Sequence, residues 1–537
     1  MKSKSWRIVC LATAVVLLLT TFTACGSGTS NGSGSATTDP GAAASGEPVY
    51  GGHLIVREEG DPPTLDPTME GAVATFMIVR YIWEGLATMD ANFEVTGMLA
   101  KDWDINDDFT EFVFHLREGV NFHDGTVMTS ADVVASLNRW YGRSEIAQKN
   151  LGENAVFQAT DPLTVTIKTT VPARNLLNIM AYWEDGFYVV PKSTIDAAGD
   201  DEITEAIGYI GTGPYKFEEY IPDNYLRLTK FEDYTAIEGG SDGMGGTKLA
   251  YLDTIDFVPV KEATTAIAGL QAGDYDVGSV SSDLIDQVSS QPNLHVVPID
   301  SGEFPCVIFN KTTGPMADLK LRQAMQALTN GEDILGAAFN PEFYSIHPGF
   351  MPAFTAWNTG DLGAEYYNQA DIEKAKQLIA ESSYNGEAIV FYTTQTYDYM
   401  YKNAMVLVSE MKDAGLNVDL QVVDWATLGE IRSKDTGWDI FSGGFTLKLT
   451  PLLIAWMGDA WPGKWVSPEK TRLLTELGGV LGTDEQYAVW EELTKLAYEE
   501  VPVVYFGEIR YAYALNNRVH GDWVGSSPYY WNTWVED

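Results

Sequence analysis

Between Asp371 and Val423 the chain carries a pattern that few folds can satisfy. "DIEKAKQLIAES" places Ile372, Ala375, Leu378 and Ile379 on one helical face, and "EAIVFYT" follows as a strand. "NAMVLVSEMKDAG" then predicts a second helix, stopped at Gly415, and "NVDLQVV" a second strand with Val418, Leu420 and Val422 inward. A strand, helix, strand succession of this length requires a parallel crossover, which sets the fold class as α/β. Upstream the period changes to two. "EFVFHLREGV" puts Phe112, Phe114 and Leu116 on one face, and "LTVTIKT" repeats this with Leu163, Val165 and Ile167. "HDG" at 123–125 supplies a turn, and "TSADVVASLNR" opens with Thr129 or Ser130 as helix cap and Asp132 in the first turn. No repeat of about 20–50 residues interrupts this order.

The N-terminal residues predict an address. Lys2, Lys4 and Arg7 precede an apolar run from Ile8 to about Leu19, as in a secretory signal too short to span a bilayer. Phe22-Thr23-Ala24-Cys25 resembles the bacterial lipobox, with Phe22 in place of the usual leucine. The resemblance implies cleavage before Cys25 and a diacylglycerol on its sulfur. The alternative is an ordinary secreted protein with a chance cysteine. Residues 25–46 are rich in Gly, Ser and Ala and read as a flexible tether. "GTSNG" within it matches a hydrolase nucleophile pattern but lacks the strand and helix that pattern needs.

Charge narrows the partners. The chain holds 75 acidic and 34 basic residues for a net charge of −41, and loss of residues 1–24 removes only Lys2, Lys4 and Arg7, giving −44. Nucleic acid is repelled by such a field, and so is an anionic membrane surface without the lipid. Three cysteines, of which only Cys25 and Cys306 remain after cleavage, predict no internal disulfide and no cysteine metal site. Cys306, inside "FPCVIFN", reads as core.

Several segments together resemble the family 5 extracellular solute-binding proteins, the peptide, nickel and oligosaccharide receptors of ABC importers. They are "GGHLIVREEGDPPTLDPT" (51–68), "IWEGLATMD" (82–90), the long stretch 99–139, "IGTGPYKFEEY" (210–220), "LQAGDYDV" (270–277) and "FNKTTGPMADLKLRQAMQAL" (309–328). The resemblance covers roughly residues 50–537 and implies a two-lobe periplasmic-binding-protein fold, the large three-lobed type II variant, with a hinged cleft. It implies lobe Ia from 47–84, 210–304 and 505–537, an inserted lobe Ib at 85–209, and lobe II at 305–504. "EFPCVIFN" and "VPVVYFGE" are expected to run side by side between lobes. Gly211 and Gly213 admit either close packing or ligand contact, and "GDYDV" with Asp274 and Asp276 reads as a turn entering a strand.

An enzyme would need convergent groups. The six histidines show no i, i+4 pair, no acidic pair stands out as a glycosidase dyad, and phosphate loops are missing. A receptor needs aromatic walls, and 15 Trp, 27 Tyr and 22 Phe supply them. The sequence therefore predicts a monomeric, lipid-anchored receptor on the extracellular face, or in the periplasm where an outer membrane exists. Its expected partners are a small peptide-like or other solute and ABC permease subunits, with no cofactor, no metal and no catalysis. A secreted hydrolase is the competing class, and an oligosaccharide or chelated nickel the alternative ligand.

The resemblance also implies site residues. In peptide-binding relatives a segment like Asp439 to Phe445 ends on an aromatic, and three residues later an aspartate pairs with the ligand's ammonium. Here Phe445 takes the aromatic place and the count reaches Lys448, in "KLTP". A carboxylate for an amine has become an ammonium, which points to an acidic ligand group facing Lys448; a slipped register would leave Lys448 as a loop charge. Gly443 and Gly444 permit close backbone approach. Thr64, Leu65, Trp83, Asn310 and Trp425 are the other candidates carried over by resemblance, each open to a scaffold role.

Overall fold

Asp371 caps the helix Ile372–Glu381 by accepting from the Lys374 amide, and Ala375 is fully buried on its inner face. Ile389–Thr394 and Val418–Val423 then pair in parallel across the helix Asp398–Asp413, which ends before Gly415 at φ +94°. This is the crossover the spacing predicts. One inward assignment is corrected. Val422 is 44% exposed, because its strand forms the sheet's edge, whereas Val418 and Leu420 pack inward as expected. This computed structural model describes residues 47–69, 73–184, 186–479, 483–521 and 528–536. The signal, the tether and Cys25 lie outside the described residues.

The crossover joins a 12-stranded sheet. Its organising element is Leu294–Phe309, 16 residues that reach about 53 Å at about 3.3 Å per residue. The first half of this strand pairs antiparallel with Glu508–Asn516, up to Glu303 opposite Ile509. Its second half pairs with Ile440–Phe445 on one side and Val503–Tyr505 on the other. "EFPCVIFN" and "VPVVYFGE" thus lie side by side, Cys306 opposite Tyr505. Between the halves the register shifts, with Gly302 at φ +62° inside the shift. Beyond Glu508–Asn516 the sheet continues through Val277–Val280, His53–Glu58, Thr254–Pro259, Tyr225–Lys230 and Tyr215–Ile221.

Separate apolar cores form along this frame. One gathers Leu54, Tyr81, Trp83, Phe257 and Tyr530; another fills the space over the four-stranded sheet of residues 100–168 with Phe112, Phe114, Val165 and Ile167. Two more flank the Leu294–Phe309 end, around Phe391 and Leu407 and around Trp456 and Trp490. Cys306 is buried in the last of these, its thiol pushed well up by burial.

The family-like motifs bind these cores together. Asp66, in the proline-rich turn, is fully buried and meets Arg139 at 2.7 Å. Arg139 also donates to Thr68 Oγ1 and to the carbonyls of Gly199 and Asp201. Glu84, in "WEGL", accepts from Tyr234 Oη, Thr212 Oγ1 and Lys248 Nζ. The 210–213 turn is close packing: a Cβ on Gly211 would lie 1.9 Å from the Ile82 carbonyl oxygen, and one on Gly213 2.2 Å from that of Tyr81. Asp276 enters its strand paired with Arg518 at 2.8 Å. Thr129 caps Ser130–Arg143 in a capping box with Asp132.

His123, in the hairpin before that cap, fits as a neutral ring. Its Nε2 donates to the Gly213 carbonyl, and its Nδ1 accepts from the Gly211 amide. Burial lowers its pKa from 6.5 to about 4. Between those values the unfolded chain binds the extra proton, so stability falls as pH drops through this window. The loss amounts to about 3 kcal/mol once the folded ring also titrates. Denaturation of the wild type and His123→Gln from pH 7 to pH 4 tests this: the variant starts less stable and has a shallower acid limb.

Candidate functional site

A cavity of about 810 Å³ lies between segments from both halves of the sheet. Glu58 and Glu59 bound it at the end of the first strand, and Val73 and Met77 from the helix Val73–Ile82. Tyr182, Trp183 and Glu184 close one side, and Thr396 to Tyr399 the opposite one. Tyr511 and Tyr513 form the floor, from the strand Glu508–Asn516, while Thr446 and Leu447 complete the rim. A space of this size, aromatic with a few charged groups, is what a small solute requires.

The floor follows from local pattern. In "EIRYAYALN" the tyrosines at 511 and 513 share one strand face, and Ala512 and Ala514 turn to a separate core. Tyr511 and Tyr399 both donate to Glu303, at 2.7 and 2.5 Å, next to the register shift of the crossing strand. This carboxylate ties Tyr511 of the floor to Tyr399 where the register of the crossing strand shifts. Glu58 behaves differently. Burial pushes its carboxyl up to about 7, against the nearby charges of Arg80 and Arg57.

None of the residues singled out from sequence lines this cavity. Leu65 and Trp83 are buried in the first core, with Trp83 Nε1 donating to the Ile210 carbonyl. Thr64 is held by Glu202, and Asn310 is buried, bonding the Asp435 and Trp438 carbonyls. Trp425 meets Tyr397, a cavity residue, edge-on at 5.1 Å. Gly443 and Gly444 lie on Ile440–Phe445 opposite Cys306 and Pro305. A Cβ on Gly444 would come within 2.5 Å of Glu303 and 2.7 Å of the Tyr399 hydroxyl, so this glycine admits protein side chains.

Phe445 and Lys448 do come together, in an adjacent crevice of about 20 Å³ with Phe304 and Tyr505. The Lys448 ammonium sits 5.8 Å from the centre of the Tyr182 ring. Burial lowers its pKa, and the Glu184 carboxylate opposes that shift. Beside it Leu447 and Leu449, each 4% exposed, belong to the core that gathers Leu54, Phe257 and Tyr530. The loop after Phe445 therefore anchors in the other half of the sheet. Phe354 makes a second crossing of this kind, 4.7 Å from Phe93.

The sequence signal for the cavity was thin. Tyr511 and Tyr513 could have been found as an i, i+2 pair facing away from alanines. Glu58, Trp183 and Tyr399 come from segments far apart in the chain, and no local spacing joins them. Among the described residues no His, Cys, Asp and Glu group is placed to hold a metal, and no helix is long and apolar enough to cross a membrane.

A divided sheet, crossing strands and a cavity walled from both ends define a solute-binding architecture. The chain belongs to the bacterial extracellular solute-binding proteins, family 5, whose middle-region model matches residues 94–452. It is 28% identical over 488 residues to the probable peptide ABC transporter periplasmic-binding protein y4tO of Sinorhizobium fredii, covering 87% of this chain and 91% of that one. Among solved structures it resembles the ABC transporter substrate-binding protein CtaP of Listeria monocytogenes, with TM-score 0.80 and 22% identity over 91% of this chain and all of that one. The oligopeptide-binding protein AppA of Bacillus subtilis, solved with a nonapeptide, is similar at TM-score 0.68 and 20% identity, with 91% and 100% covered. These two structural likenesses define the fold alone.

Proposed function

We propose that this chain is the substrate-binding subunit of an ABC importer, lipid-anchored through Cys25, which encloses a peptide-like solute and presents it to the permease. It carries out no chemistry on that solute. The observation that carries this reading is the cavity of about 810 Å³ walled from both ends of one sheet. The lobes would be 47–84 with 210–304 and 505–537, the insertion 85–209, and 305–504, and the separate cores support that division. The two crossing strands would serve as hinge, with ligand favouring the closed arrangement. The y4tO relative supports peptide transport as the setting.

An acidic ligand group facing Lys448 is the finer expectation from sequence. Here the anion acting on Lys448 is the chain's own Glu184, and Lys448 lines the crevice beside the cavity. This supports a different role, a contact between the 446–450 loop and the 182–184 segment. The receptor reading is tested by thermal unfolding with a pool of short peptides, followed by mass analysis of the pool. Binding at hundredfold excess over Kd stabilises by about 2.7 kcal/mol. Stabilisation with intact peptides supports the receptor; cleaved peptides without stabilisation favour a hydrolase.

A further inference from the structure

We propose that the cavity binds a cationic group of its ligand, an ammonium or guanidinium, against the carboxylate of Glu58. The inference rests on the receptor reading and names the ligand chemistry that reading leaves open.

Glu58 closes the strand His53–Glu58, with its carbonyl fixed by the Val260 amide and its side chain at the cavity wall. Its carboxylate takes no hydrogen bond or ion pair among the described residues, whereas Arg57 beside it reaches the exposed Glu59 at 3.9 Å. Arg57 spends its guanidinium on the Val260 carbonyl and on Ser279 Oγ. Arg510 is taken by Asp300 at 2.7 Å, and Lys261 is exposed at the rim. The cavity's other acids differ in setting: Asp398 pairs with Lys402, and Glu59 and Asp283 are exposed. Glu184 already acts on Lys448. A ligand cation entering here thus finds a carboxylate that the protein has left without a donor, and charge-assisted bonds are the strong ones. The Tyr513 ring lines the same space, where a cation can meet its π system, while the Tyr182 and Trp183 rings already carry Lys448 and Arg80.

The groups around Glu58 leave it as the titrating member. Arg57 and Glu59 flank it on its own strand, Arg80 and Tyr81 face it from the helix, Tyr513 from the floor and Tyr530 from the C-terminal segment. Burial raises the pKa of these three tyrosines, so they stay neutral, and the arginines stay charged. Glu58 itself is pushed up to about 7. A bound cation favours its ionised form, so binding releases a proton near neutral pH.

Calorimetric titration with three probes tests this: Ala-Lys-Ala amide with a free amino terminus, N-acetyl-trialanine amide, and N-acetyl-Ala-Glu-Ala amide. The wild type is expected to prefer the first and to release protons on binding it. Its affinity falls about fivefold from pH 7 to pH 6 and about tenfold more by pH 5. Glu58→Gln is expected to lower the ratio of cationic to neutral affinity by about ten- to hundredfold and to remove the pH dependence. The wild-type pH profile and proton release need no variant. An unchanged ratio in Glu58→Gln, or a preference for the anionic probe, overturns the cation site and leaves the receptor reading standing. Failure of all three probes to bind overturns both.

Discussion

Arg139→Met lowers the protein's stability by about 3–5 kcal/mol. The guanidinium it removes is buried between the proline-rich turn and the residues 199–201, where it meets Asp66, Thr68 and two carbonyls. Methionine fills much of the volume but offers no donor, so a fully buried carboxylate loses its counter-charge. Among the described residues Asp66 then keeps only the Thr68 and Ile203 donors. Denaturant titration is the measurement, and a second change sharpens it. Asp66→Asn added to Arg139→Met recovers part of the loss, because the charge left without its partner is then gone. A double variant as unstable as the sum of both singles would mean that packing, not charge, sets the cost.

The second large effect lies in the loop after Phe445. Leu447→Ala with Leu449→Ala removes two nearly fully buried side chains, and each such truncation costs about 2–5 kcal/mol. Both leucines pack in the core of Leu54, Phe257 and Tyr530, although the strand they follow, Ile440–Phe445, belongs to the other half of the sheet. If the two ends move as proposed, the loss falls on the closed arrangement alone. The expected result is a larger radius of gyration in solution scattering and a ligand affinity weakened in proportion to the closed fraction. If instead the leucines belong to a permanent core, the melting temperature falls and the radius of gyration stays constant.

Much of the fold could be read from the chain because its signals are local. Apolar spacing at 372–379 and at 112–116 sets helix and strand, and Thr129 with Asp132 forms the cap that their spacing allows. The crossing strands were legible as two apolar runs, and they pair. Val422 departs from its expected burial because alternation gives a face but cannot tell an edge strand from an inner one. The site was harder. Gly443 and Gly444 suggest close approach, but the approaching groups near Gly444 are Glu303 and Tyr399, more than 40 residues away in sequence. Counting from Phe445 reached Lys448, whose surroundings are set by residues 182–184, which no spacing near it encodes. The motif 82–90 and the proline-rich turn of 51–68 mark buried networks around Glu84 and Asp66 and stay off the cavity wall, whereas residues 57–60 of the same 51–68 segment line it.

The most direct test of the account is native mass spectrometry of the protein released from its own membranes, with the bound species then freed by mild denaturation. One small solute per chain is expected, of a size that about 810 Å³ can hold, recovered with its mass unchanged after prolonged incubation. Recovery of fragments of an added peptide, in place of the intact molecule, would contradict it.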